Sequence, residues 1–104
     1  MNIKETLFEL SNAVSIGNIT DASEKAREIL SNYAKTRQNG VEVVGEIKGE
    51  SDYTLMLEAH IDEVGFVVTD VDASGFLTVK NCGGVDLRML PARTVIIHGK
   101  QDVT

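Results

Sequence analysis

The stretch "VEVVGEIKGESDYTLMLEAHIDEVGF", residues 41–66, decides the fold. Before it the apolar residues recur at helical spacing; from Val41 onward the period changes. "VEVVGEIKG" alternates apolar and polar side chains, as a half-buried strand does. "ESD" (50–52) turns the chain. "YTLMLEAH" (53–60) is more continuously apolar and reads as a second, more deeply buried strand. That run ends in His60, followed by Asp62 and Glu63.

Working outward, Ile3, Leu7, Leu10 and Val14 predict an amphipathic helix over 2–14. "SIGN" (15–18) breaks it. Asp21 reads as an N-cap with Glu24 three residues on, a weak capping box. Ala22, Ala26, Ile29, Leu30 and Tyr33 continue a second helix to about residue 36. "QNG" (38–40) is a turn signal. Downstream, "VGFVVTDV" (64–71) and "GFLTVK" (75–80) read as strands joined by "DASG", with Gly75 at a left-handed position. "NCGGVDLRMLP" (81–91) is a loop, and "ARTVIIHGK" (92–100) a last strand. The fold class is mixed α/β: two N-terminal helices, then about five strands. Ending directly after a strand leaves an unpaired sheet edge, as expected for a piece of a longer chain, although a small domain can also end this way.

Composition bounds the function. The 104 residues are 42% hydrophobic and 25% charged, as in soluble globular proteins. A net charge of −6 argues against nucleic acid as a partner. No apolar run approaches the roughly 18 residues of a membrane span. "MNIKETLFEL" lacks the apolar core of a signal peptide. The single cysteine, Cys82, forms no internal disulfide and suits a reducing compartment. The expected location is cytoplasmic.

Strand parity places His60 and Asp62 on one face. A carboxylate accepting from one imidazole nitrogen fixes the tautomer and frees the other nitrogen for a metal. Such a pair at the carboxyl end of a buried strand is a candidate metal or catalytic element. The bland reading stands beside it. His-x-Asp is short and frequent by chance, a strand-end histidine is often a surface residue, and Glu63 can be a solvated turn residue. A zinc site wants three or four ligands. His98, Cys82 and the glycines of "CGGVD" carry weaker signals, and Asp70 and Asp72 read as a solvated face.

Five motifs occur in order: "AHIDEVGF", "GFL", "GGVD", "LP" and "VIIHG". Together with "ELSNA" (9–13), they resemble the N-terminal part of the glutamyl aminopeptidase or tetrahedral aminopeptidase family, metallopeptidase family 42. Some members of that family have been labelled endoglucanases. The resemblance implies a dinuclear metallo-aminopeptidase that uses two divalent ions, zinc or cobalt, to remove N-terminal residues from peptides. By motif, His60 matches a ligand of one ion and Asp62 the carboxylate that orients it. Glu63 is assigned no role, and His98 is not a ligand. The resemblance further implies that residues 1–63 open a zinc-peptidase catalytic domain. Residues 64–104 would then begin an inserted PDZ-like β domain used for dimer contacts. Members assemble from dimers into dodecamers. A full member is several-fold longer, with its remaining ligands and general base downstream. "VSIGN" (14–18) and the cysteine of "KNCGG" depart from the family pattern. The 104-residue chain alone is therefore expected to be inactive and to self-associate. The alternative is a non-catalytic β-rich interaction or oligomerisation module.

Overall fold

The computed structural model describes residues 2–17 and 20–104. Helix α1 spans Ile3–Ser11. Asn2 caps it, its side-chain oxygen accepting from the amides of Lys4 (3.2 Å) and Glu5 (3.5 Å), which satisfies donors that have no partner within the helix. One turn on, the Lys4 ammonium lies 5.9 Å from the centre of the Phe8 ring, within cation–π range.

Helix α2 spans Thr20–Ser31. Asp21 is therefore inside the first turn rather than at the N-cap, where it still favours the positive helix end. The expected "SIGN" break holds at Ser15–Gly17, where Gly17 has a φ of +71°; Asn18 lies outside the described residues. The side chain of Asn32 closes the far end on the carbonyls of Glu28 and Ile29.

The expected extension of this helix to residue 36 does not occur. Lys35–Asn39 forms a strand, β1, paired antiparallel with β2, Glu42–Glu46. "KTRQN" has no apolar alternation to announce a strand; the pairing comes from its partner and from the turn. Asn39 and Glu42 face each other across a two-residue loop, Gly40–Val41, with Gly40 at φ +62°. A glycine with positive φ in the first loop position matches the right-handed twist of the flanking strands.

β3, Gly65–Val71, and β4, Leu77–Cys82, form the second antiparallel ribbon. Its loop is closed by Asp72, whose carboxylate accepts from the amides of Ser74 (2.8 Å) and Phe76 (2.9 Å). Asp72 is thus a turn-forming residue, not part of a solvated strand face. Gly75, at φ +86°, takes the expected left-handed position. The register slips between Val68 and Asp70, a bulge that leaves Thr69 unpaired in the ladder while its hydroxyl donates to the Thr78 carbonyl (3.2 Å). Val68 faces Val79 before the slip and Val71 faces Leu77 after it. The bulge therefore keeps four apolar side chains on one face of the ribbon.

Among the described residues, four strands in two small sheets replace the expected five in sequence. "YTLMLEAH" is not a buried strand. Residues 53–60 pair with nothing among the described residues, and Leu55, Met56 and Leu57 are exposed. β-propensity alone does not make a strand; a ladder partner must satisfy the backbone. The final expected strand, 92–100, is reduced to one antiparallel bridge between Ile97 and Val103.

Among the described residues the core is confined to the contact of α2 with the first ribbon. Ala22 is its one buried apolar side chain. Ser23 is fully buried, and its hydroxyl donates to the Val41 carbonyl at 2.6 Å. Gly45 lets Leu30 and Ala34 lie close against β2. The accessible surface is 9191 Å² for 11.3 kDa, against about 5,700 Å² for a compact chain of this mass. The radius of gyration is 17.7 Å, against ~13 Å for a compact domain of this length.

Candidate functional site

The candidate site lies on the extended segment between the two ribbons. β3 begins three residues after Asp62, with Ile16 packed where Gly65 has no side chain. His60 and Asp62 come together as expected. The His60 Nδ1 lies 2.9 Å from the Asp62 carbonyl oxygen and 3.3 Å from its carboxylate Oδ1. Both partners are acceptors, so Nδ1 is the donor of this contact and Nε2 is the ring nitrogen left for a ligand. The side chains are 86% and 62% exposed, so Nε2 is open to an incoming ligand. The hydrogen bond goes to the backbone carbonyl rather than to the carboxylate, a feature that strand parity does not reveal.

Among the described residues no three His, Cys, Asp or Glu side chains converge on one point. The donor set present fits one corner of a metal site: an imidazole whose Nδ1 is held by the Asp62 carbonyl with the Asp62 carboxylate beside it. It does not supply the three or more ligands of a closed site.

A second histidine–aspartate pair was not anticipated from the sequence. His98 Nδ1 lies 3.1 Å from Asp102 Oδ1, brought there by the Ile97–Val103 bridge. The signal, in retrospect, is a histidine and an aspartate flanked by two β-branched residues around "GKQ". Farther back, Asp86 caps the 3-10 turn Leu87–Met89 and holds the Arg88 guanidinium through both carboxylate oxygens (2.8–3.2 Å). The Arg88 side chain, then its backbone amide, holds the Asp86 carboxyl below the ordinary carboxylate range. Cys82 is a free, half-buried thiol at the end of β4.

The chain belongs to the M42 glutamyl aminopeptidase family, whose model matches residues 42–104 and so includes His60 and Asp62. It is also similar to the Escherichia coli (strain K12) protein named "Putative aminopeptidase SgcX", with 33% identity over 92 residues. That match covers 80% of this chain and 24% of the relative, so the chain spans about a quarter of the curated relative it matches. No solved structure matches it. The chain is of a peptidase family. Among the described residues no helix is long and apolar enough to cross a membrane.

Proposed function

We propose that this chain is the N-terminal portion of a dinuclear metallo-aminopeptidase acting on peptide N-termini, with His60 as a ligand of one divalent ion. The observation that carries the reading is the hydrogen bond from His60 Nδ1 to the Asp62 carbonyl, which leaves Nε2 for a ligand, in a chain of this family. Asp62 is the positioning residue. Its carbonyl holds the ring, with its carboxylate close by. When bound, zinc or cobalt ions would activate a water and polarise the scissile carbonyl. His60 supplies one ligand; the other ligands and the general base belong to the parent polypeptide beyond this segment.

On this reading residues 1–63 open the catalytic domain and 64–104 begin an inserted PDZ-like domain. The parent enzyme is cytoplasmic and assembles from dimers into a dodecamer. The 104-residue chain by itself cleaves nothing. The experiment is hydrolysis of an aminoacyl anilide with zinc or cobalt by this chain and by the polypeptide extended to the length of its relatives. The extended protein cleaves and the short chain does not; metal-dependent cleavage by the short chain would sink the assignment of the missing ligands.

The second reading, a non-catalytic interaction module, is favoured by one observation. Residues 53–60 are exposed and carry an apolar run, Leu55–Leu57, and pair with nothing among the described residues, which leaves their backbone open to strand addition. If the extended protein binds no metal and cleaves no anilide, that reading takes over.

A further inference from the structure

We infer that Asn39 is a site of spontaneous covalent modification, in which its side-chain amide is lost through attack by the Gly40 nitrogen and is replaced by a carboxylate. The dipeptide Asn39–Gly40 closes the β1–β2 hairpin. Both residues are exposed, and open space surrounds the position where Gly40 would carry a Cβ. No Cβ on residue 40 therefore crowds the approach of the Asn39 side chain to the Gly40 nitrogen.

The other asparagines of described placement each precede a residue that carries a side chain, and three of them use their own side chains in hydrogen bonds. Asn2 caps α1 through its side-chain oxygen and precedes Ile3. Asn32 donates to two carbonyls of α2 and precedes Tyr33. Asn81 donates to the Gly83 carbonyl at 3.1 Å and precedes Cys82. Asn12 precedes Ala13, whose Cβ crowds the approach. Asn39 alone among them combines a following glycine with a side-chain amide that no hydrogen bond holds.

The step balances without a co-reactant other than water. The Gly40 nitrogen bonds to Asn39 Cγ, and the Cγ–Nδ2 bond breaks. The proton lost from the Gly40 amide leaves with the nitrogen as ammonia. A five-membered succinimide remains. Water then opens it at either carbonyl, giving aspartate or isoaspartate. Both place a new carboxylate at the position directly across from Glu42. Like charges directly opposite each other destabilise a ribbon, and isoaspartate adds a backbone atom that breaks the register at the hairpin mouth.

The fold itself regulates the rate. Ring closure needs Asn39 to leave its extended pairing with Glu42, so it proceeds from an opened turn. A two-stranded ribbon is marginal alone. What holds this turn is the buried Ser23 hydroxyl on the Val41 carbonyl, 2.6 Å away. Loss of that tether raises the open population about 5- to 30-fold, and the modification rate with it.

The test incubates the 104-residue chain at mildly alkaline pH and follows intact mass, peptide mapping and isoaspartate content. A synthetic peptide of residues 35–46 runs beside it. Amide-to-acid conversion is expected at Asn39 in both, faster in the peptide, absent in Asn39→Gln and accelerated in Ser23→Ala. Conversion in the peptide with none at Asn39 in the chain would overturn the inference, as would conversion confined to another asparagine. If Ser23→Ala does not fold, the ratio of peptide to chain rates reads the same protection; a ratio of one would refute the tether.

Discussion

Ser23→Ala probes the contact that joins the helical and β parts of the molecule. Ser23 is wholly buried, and its hydroxyl reaches the Val41 carbonyl at 2.6 Å. The substitution keeps the Cβ and removes one oxygen, so it opens almost no cavity. What is lost is a hydrogen bond, and what remains is a carbonyl in the α2–hairpin contact without its partner. A net hydrogen bond is worth about 1 kcal/mol, and leaving a part-buried acceptor unpaired adds up to ~1 kcal/mol more. An expected cost of about 1–2 kcal/mol raises local opening of β1–β2 by about 5- to 30-fold. Amide hydrogen exchange reads this directly, with faster exchange across Lys35–Asn39 and Glu42–Glu46. The β3–β4 ribbon shares no partner with Ser23, so its exchange should hold constant. A change below about twofold in β1–β2, equivalent to ~0.4 kcal/mol, would refute the reasoning. An equal rise in both ribbons would refute it too, because the effect would then be global.

Two further outcomes follow from local geometry. Ala92 has φ +62° in the turn that Arg93 closes by donating to the Leu90 carbonyl at 3.0 Å. Left-handed backbone costs an alanine ~1–2 kcal/mol, and a glycine gives back ~0.4–1 kcal/mol through the unfolded chain. Ala92→Gly should therefore slow exchange of the Arg93 amide by about twofold, from a net gain of ~0.5 kcal/mol; faster exchange would contradict it. Arg88 holds the Asp86 carboxyl below its ordinary value. A depressed carboxylate contributes stability above its unfolded pKa and loses it as pH falls through the lower folded value. The turn at Leu87–Met89 should thus stay intact at neutral pH and fray only on the acid side of the ordinary aspartate range. Carboxyl carbon titration by NMR should show Asp86 moving to higher pH in Arg88→Ala, and an unmoved titration would rule out the guanidinium as the cause.

The helices and turns were legible in the sequence because their signals are local. Ile3, Leu7 and Leu10 set a helical period, and both ribbon loops carry the glycine or aspartate their geometry requires. What failed was anything that depends on a partner. "KTRQN" has no strand pattern yet pairs because β2 folds back onto it. "YTLMLEAH" has a strong pattern yet pairs with nothing among the described residues. The His60–Asp62 proximity was legible, since two residues apart on an extended chain is close enough for a hydrogen bond. The pairing of His98 with Asp102 was not, because it depends on a single backbone bridge that closes a loop. Family membership rests on ordered motifs rather than on any one triplet, and the family match over residues 42–104 spans all five of them, with "ELSNA" (9–13) lying before it.

The central claim is that His60 binds metal through Nε2. The direct measurement is the metal content of the polypeptide extended to the length of its relatives, loaded with zinc and dialysed, as wild type and as His60→Ala. The account predicts that the variant stays folded and loses one of its two ions. Retention of both by the variant would contradict it.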